Sequence, residues 1–395
     1  MKSILFMAIN MNIGGMEKAL LSMISEIPTD KYKVTVLMLE EYGGFLKDIP
    51  EGINIEFLDL YKDIKVELNR PPVPLAIQYI KNNRIIRGLN ILFLHTITKL
   101  FKDRSLYFKY LLKNYNSKDE IYDIAVAYAG PNDFISYFII NKVKAKKKVQ
   151  WIHFDVTKIG FNLRYSTKIY KKFDKIFVVS KEAKEKLESM IPVIRSKIDV
   201  FSNIVSEAII KEKAKKGKSF EDKFDGIRIL TVGRLSKEKG QDITIPVLAK
   251  LRAEGYNVRW YCLGEGSLRS ECEKLIREYN VENDYILLGS SQNPYGYMRD
   301  CDIYVQPSRH EGYCITLAEA RCFNNPIVTT NFTGAKEQIN ENMNGLIVNI
   351  NEKDIYINIK KLLDDKLLFQ SIKINLNKRH ISNTDEINKL FNILE

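Results

Sequence analysis

The chain is poor in the residues that most often build redox, metal and disulfide chemistry. Its 395 residues include five cysteines and four histidines. The cysteines, Cys262, Cys272, Cys301, Cys314 and Cys322, all lie in the second half and none forms a C-x-x-C pair. Buried or free thiols in a reducing compartment are therefore expected, rather than a disulfide framework or a zinc site. No apolar run approaches the roughly 20 residues that span a bilayer. The opening MKSILFMAIN has no small-residue cleavage site and reads as a first strand, so secretion is not indicated. No D-x-D pair stands beside a strand end; Asp364 and Asp365 fall in a polar helical stretch. The G-x-G-x-x-G fingerprint of dinucleotide binding is missing as well. Acids are the scarcer charge, 49 against 61 Lys and Arg, for a net +12 that favours anionic partners: nucleic acid, acidic lipid or phosphorylated substrates.

What is present is a repeated alternation. The apolar runs SILFMAI, YKVTVLMLE, INIEFLDL, DIAVAYAG, KVQWIHF and KIFVVS are separated by helical patterns such as MEKALLSMISEI and KEAKEKLESM. β-Branched and aromatic strands alternating with helices predict a mostly parallel sheet covered by helices. A charged stretch near residues 204–224, KEKAKKGKSFEDKFDG among it, marks a boundary. The pattern then resumes with GIRILTVGR, NVRWYCLG, YILLGS, DIYVQPS, PIVTTN and GLIVNI. Two α/β domains follow, over residues 1–204 and 205–380, with a final segment 381–395. Residues 82–114 combine Leu, Ile and Phe with Arg and Lys at spacings that suit basic amphipathic helices. Such helices either rest on a membrane surface or pack on the first sheet.

The most informative segment is EGYCITLAEA, in which seven residues separate Glu311 from Glu319 just past a predicted strand and across a helix start. Carboxylates placed so can flank unpaired backbone N–H groups, and a pyrophosphate can sit between two acceptors of sugar hydroxyls. Residues 304–338, YVQPSRHEGYCITLAEARCFNNPIVTTNFTGAKEQI, resemble the signature of retaining family 4 glycosyltransferases, PS..EGF...LEA.A.G.PV followed by a Gly-containing turn and Glu. The resemblance implies the GT-B architecture: two facing Rossmann-like domains, an interdomain cleft, a donor held mainly by the second domain and an acceptor met by the first. It implies Glu311 facing the donor sugar, Glu319 taking the ribose hydroxyls, and Tyr313, Cys314, Ile315 and Thr316 lining the helix start. Many members carry Gly where Cys314 stands.

The run ILTVGRLSKEKGQD is similar to the family's G-R-x4-K-G element. It puts Arg234 directly after a strand and Lys239 five residues on, a planar fork and a point charge for the leaving diphosphate. NMNIGGMEKAL resembles the family's G-G-x-E element, with Gly14 and Gly15 expected to permit positive φ and close approach of backbone to a phosphate. His153, ending a strand of the first domain, matches by position the family's histidine near the donor sugar. The expectation is retaining transfer of a sugar from a UDP- or GDP-linked donor to a glycan or lipid-linked acceptor hydroxyl, without metal or other cofactor. The setting would be cytoplasmic assembly of a bacterial surface polysaccharide, capsule or teichoic acid, with peripheral contact at an anionic membrane face left open and no nucleic-acid partner. The alternatives are an epimerase or phosphorylase on the same scaffold, or a basic membrane or nucleic-acid binder without enzymatic activity.

Overall fold

The computed structural model describes residues 1–158, 160–378 and 382–394. The chain divides into two units: Met1–Val179 with Lys184–Phe201 and Ile387–Glu395, and Ser202–Glu386 with Ser180–Ala183. His380 and Ile381, where the sequence placed its last boundary, lie outside the described residues.

The first unit carries seven strands: β1 (Lys2–Ala8), β2 (Tyr32–Met38), β3 (Asn54–Phe57), β4 (Ile121–Gly130), β5 (Lys144–Ile152), β6 (Lys175–Val178) and β7 (Ile198–Val200). They form one parallel sheet in the order β3-β2-β1-β4-β5-β6-β7. The centre of the sheet is buried on both faces, which is why β1, β2 and β4 read as continuous apolar runs rather than alternating ones. The lysine-rich run VKAKKKV, which has little apolar content to mark a strand, supplies most of β5. Its first half is largely exposed, and Lys144 and Lys146 each meet an acid, Asp119 and Asp123, at 2.8 Å.

The second unit carries six strands: β8 (Ile227–Val232), β9 (Val258–Leu263), β10 (Tyr285–Gly289), β11 (Ile303–Gln306), β12 (Ile327–Thr330) and β13 (Leu346–Val348). These are the six runs expected from the sequence, ordered β10-β9-β8-β11-β12-β13. Successive residues feed opposite faces: Ile229 and Trp260 enter one apolar core, Leu230 and Tyr261 the other. Of the charged stretch, which falls at the start of the second unit, Glu207–Lys216 is helical.

The two strand orders are the same doubly wound pattern. In each, the chain reverses its direction of growth between the first strand and the fourth, so the loops after β1 and β4, and those after β8 and β11, open a crevice at the carboxyl ends of the strands. Arg234 and Lys239 follow β8, and Glu311 follows β11. Topology alone brings Glu311 to the same crevice of the second unit as Arg234 and Lys239, which stand more than 70 positions before it in sequence.

Candidate active site

At the second unit's crevice the Lys239 ammonium donates to Glu311 Oε1 at 2.5 Å. Burial lowers the affinity of the lysine for its proton, but the charge of Glu311 and the hydrogen bond outweigh it, leaving the pKa above the ordinary lysine value. The ammonium is therefore charged throughout the physiological range. Glu311 is held from behind: Ser308 donates to Oε1 at 2.7 Å, Gln306 Nε2 to the Ser308 hydroxyl at 2.8 Å, and Tyr304 and Thr316 to Gln306 Oε1 at 2.8 and 3.2 Å. Thr330 adds hydrogen bonds to the carbonyls of Gln306 and Ser308 at 3.2 and 2.5 Å. A satisfied buried polar chain of this kind fixes where the carboxylate points.

The β8 and β11 loops are also clamped to each other. Arg309 makes two parallel hydrogen bonds with Asp242, at 2.7 and 2.8 Å, and donates to the Lys237 carbonyl at 2.7 Å. Lys237 itself is spent on Asp242 at 2.8 Å and Glu271 at 3.4 Å, which leaves it a surface ion pair. At the tightest approach, Gly240 has φ +75°, and an added Cβ would stand 2.1 Å from the Pro307 carbonyl oxygen. Only glycine meets both conditions. Arg234 is exposed, and among the described residues its side chain has no hydrogen bond or ion pair. Gly266 leaves it room, since a Cβ there would lie 3.0 Å from Arg234 Cγ.

The helix that follows Glu311 is short, Ile315–Ala320, so its dipole is small and the phosphate-favouring feature reduces to its free donors. Among the described residues the amides of Cys314, Ile315 and Thr316 donate to no backbone carbonyl. Cys314 stands at the helix N-cap with φ +62°, a left-handed conformation that costs a non-glycine residue about 1–2 kcal/mol. Burial and the nearby Glu311 charge push its thiol pKa up, so it is a neutral packing group and not a nucleophile. Tyr313 is likewise pushed up by burial, to about 12, and its carbonyl accepts from Gln338. Glu319 is buried, with Oε1 accepting the Tyr295 hydroxyl at 2.8 Å. The two carboxylates of the motif thus have different partners, a cation for Glu311 and a phenol for Glu319.

The first unit's candidates differ in kind. Gly14 and Gly15 open the helix Gly15–Ser25, and neither uses the positive φ that glycine permits. Gly14 is extended (φ −156°), a conformation open to any residue; a Cβ there would meet only the flexible Glu17 carboxylate, 2.4 Å away. The residue three places into the helix folds back over its cap, and glycine leaves space for it. His153 is buried beside Tyr128, with ring centroids 4.4 Å apart, and its amide donates to the Gly130 carbonyl at 3.0 Å. Burial drives its pKa down to about 3 against a backbone hydrogen bond with Tyr128, so the imidazole is neutral. Nε2 is buried without a hydrogen-bond partner among the described residues. With the other ring nitrogen given to the backbone, Nε2 carries the lone pair and accepts. Asp155, two residues on, is occupied by Lys186 at 2.8 Å and by the Thr157 amide and hydroxyl at 2.9 and 2.6 Å. It shapes its own turn. Ser180, at another strand end, accepts the Ala183 amide at 3.2 Å as a helix cap.

Sequence reasoning missed Gln306, Ser308, Asp242 and Arg309. The only signal was position, since each lies within a few residues of a motif. Among the described residues no three His, Cys, Asp or Glu side chains are grouped as metal ligands.

A doubly wound two-unit chain with paired charges at a strand-switch crevice defines a class, and comparison with known proteins places it. The structure of Anabaena HepE in complex with UDP-glucose superposes with a TM-score of 0.70 over 99% of this chain and 98% of that one, at 17% identity, which fixes the fold as GT-B. Residues 210–384, which lie in the second unit, match the family described as glycosyl transferases group 1. One curated relative, from Campylobacter jejuni, is 32% identical over 207 residues, 52% of this chain and 55% of its own length: N-acetylgalactosamine-N,N'-diacetylbacillosaminyl-diphospho-undecaprenol 4-alpha-N-acetylgalactosaminyltransferase. Another is the capsular polysaccharide biosynthesis glycosyltransferase CapM of Staphylococcus aureus, 27% identical over 52% of this chain and 56% of its own length. The chain thus matches about half the length of these relatives.

Proposed function

We propose that this protein transfers a sugar from a nucleoside-diphosphate donor to a hydroxyl of a glycan or lipid-linked acceptor in the assembly of a bacterial surface polysaccharide. The observation that carries the reading is the Lys239–Glu311 pair at the β8/β11 crevice, with the unpartnered Arg234 beside it. An ammonium and a guanidinium neutralise the departing diphosphate, and the free amides at Cys314–Thr316 add donors for its oxygens. Glu311, held by Ser308, accepts donor-sugar hydroxyls, while Glu319 takes the ribose once it shares or exchanges its Tyr295 bond. In the first unit, Nε2 of the neutral His153 is left as an acceptor for a sugar hydroxyl. Glu311 and Glu319 are both given to donor hydroxyls in this reading, which leaves neither as a nucleophile. Retention then proceeds on one face, the bond to the leaving phosphate breaking as the acceptor oxygen bonds the same carbon and passes its proton to that phosphate.

A uridine donor is favoured by the UDP-glucose complex of the HepE neighbour. The test is a thermal-shift comparison of UDP and GDP with the purified protein. A ligand at 100 times its Kd adds about 2.7 kcal/mol of stability, and the diphosphate that raises the midpoint identifies the base. No shift with any nucleoside diphosphate would overturn the reading. With the matching donor, turnover is expected to persist in excess chelator, because fixed cations do the neutralising; full dependence on added magnesium or manganese would remove that part. An epimerised donor in the absence of acceptor would instead establish the isomerase alternative.

A further inference from the structure

The helix Ile85–Phe101 in the first unit is apolar on two opposite sides. One side packs: Gly88 and Ile91 are buried against the helix Pro72–Lys81, forming a small satellite core with Leu75 and Ala76. Gly88 makes the packing possible, since a Cβ there would stand 2.7 Å from the Ala76 carbonyl oxygen. The other side is left uncovered by the described residues. Ile86, Leu89, Phe93 and Leu100 are 78, 54, 64 and 71% exposed. Steps of three, four and seven residues put them in one line along the helix, a ridge about 21 Å long at ~1.5 Å per residue.

The ridge stands on a braced platform. The buried Glu67 carboxylate takes Arg87 and the Tyr79 hydroxyl, the latter at 2.8 Å, and the Glu67 carbonyl takes the Tyr107 hydroxyl at 2.8 Å. The three helices from Pro72 to Leu111 are thereby tied to the helix Tyr61–Asn69. Cations bracket the ridge. Residues 81–113 hold eight, Lys81, Arg84, Arg87, Lys99, Lys102, Arg104, Lys109 and Lys113, against one acid, Asp103, a surplus of 8 − 1 = 7. Arg87 and Arg104 are paired with Glu67 and Asp133. Lys81, Arg84, Lys99, Lys102 and Lys109 are exposed and, among the described residues, have no ion-pair partner.

We propose that this ridge docks on an anionic phospholipid bilayer, the helix lying in the plane of the interface with Leu89 and Phe93 among the acyl chains and the lysines at the headgroups. Charge complementarity selects that occupant. A second copy of the chain would set a surplus of seven positive charges against its like, whereas an acidic headgroup layer neutralises them. No described helix is long and apolar enough to cross a membrane, so the contact is peripheral. The proposal is independent of which donor the second unit takes.

The test is flotation of the full chain with vesicles of phosphatidylcholine alone and with about one-third phosphatidylglycerol, the anionic share that a polybasic surface reads. The chain is expected to float with the anionic vesicles. Leu89→Glu with Phe93→Glu should cut the bound fraction about ten-fold, each substitution removing an inserted apolar side chain, with the unfolding midpoint and the nucleotide-induced shift unchanged. Lys99→Glu with Lys102→Glu should abolish the preference for anionic lipid. Phe93→Trp should move its emission to shorter wavelength on the same vesicles, which reads insertion directly in a protein with its ridge intact. Flotation unaffected by lipid charge, an unshifted tryptophan, or a dimer in solution that Leu89→Glu with Phe93→Glu splits would each overturn the proposal, the last in favour of a self-association surface.

Discussion

The two units repeat one strand order and open a crevice at the same topological point, yet they place different chemistry at their strand ends. In the second unit the crevice holds charges: Lys239 against Glu311, a free Arg234, and a hydrogen-bonded chain back to Tyr304 and Thr316. In the first, the loop after β1 holds an extended glycine, the loop after β4 leads into Asp133, paired with Arg104, and the end of the neighbouring β5 presents a neutral histidine packed on Tyr128 and 6.3 Å from the Trp151 ring. The backbone plan does not choose the chemistry; the residues at the strand ends do. A charged crevice suits the group on which negative charge grows, and a neutral acceptor such as His153 suits a neutral hydroxyl.

The largest expected effect tests the charged half. Arg234→Ala should lower kcat on the order of 10² to 10³, the scale of losing one preorganised donor at a developing charge. Arg234→Lys should restore only part of it, because a point charge cannot replace a planar fork. The measurement is initial rate at saturating donor. An Arg234→Ala enzyme with unchanged kcat would break the comparison by taking the charge chemistry away from this loop.

A second test sets the glycines of the two crevices against each other. Gly240→Ala should destabilise the protein by roughly 1–3 kcal/mol, since left-handed strain and a clash with the Pro307 carbonyl act together. Gly14→Ala should cost less than about 1 kcal/mol, because an extended backbone accepts alanine and only the Glu17 side chain must move. Unfolding midpoints in denaturant decide it. Equal losses would mean that the first glycine loop is as constrained as the second.

These glycines also show what could be read from the sequence. All six strands of the second unit were legible, because a strand buried on both faces must be a short apolar run. The lysine-rich half of β5 was not, since an exposed strand end needs only hydrogen-bond partners. Arg234, Lys239 and Glu311 were legible as a set through motif spacing, and the switch point explains their meeting. Ser308 and Gln306 were not, because loop polar residues have no period and their value lies in a hydrogen-bond chain that exists only after folding. Gly14 and Gly15 permit positive φ without requiring it, and neither adopts it. The strained position was instead at Cys314, a residue type that gives no hint of it.

The third test concerns pH. His153 has a folded pKa of about 3, below the ordinary histidine value near 6.5. Its neutral form is therefore favoured by folding, and that contribution is fully present above about pH 6.5 and is lost as pH falls toward the folded value. Below that upper limit the unfolded chain binds a proton that the native one refuses. Wild type should lose stability between pH 7 and pH 5 faster than His153→Asn, which has nothing to titrate there. Parallel stability profiles would show that His153 is hydrated and charged, and would erase the contrast between the two crevices.

The smallest effect is a matter of sign. In ordinary helix or strand positions alanine is more stabilising than glycine by roughly 0.5–1 kcal/mol, because glycine has more backbone freedom to lose. At Cys314 the order should invert. Both Cys314→Ala and Cys314→Gly remove the same buried thiol, so their loss of packing is shared and cancels in the difference between them. What remains is the left-handed backbone at φ +62°, which costs alanine about 1–2 kcal/mol and glycine almost nothing. After glycine's entropy is subtracted, Cys314→Gly should be the more stable of the two by up to about 1 kcal/mol. At Gly14 the argument carries no such term, so the sign there is set by the Glu17 contact alone. Should alanine prove the better residue at position 314, the helix start that frames Glu311 is not under backbone strain, and the tension assigned to the charged crevice is absent.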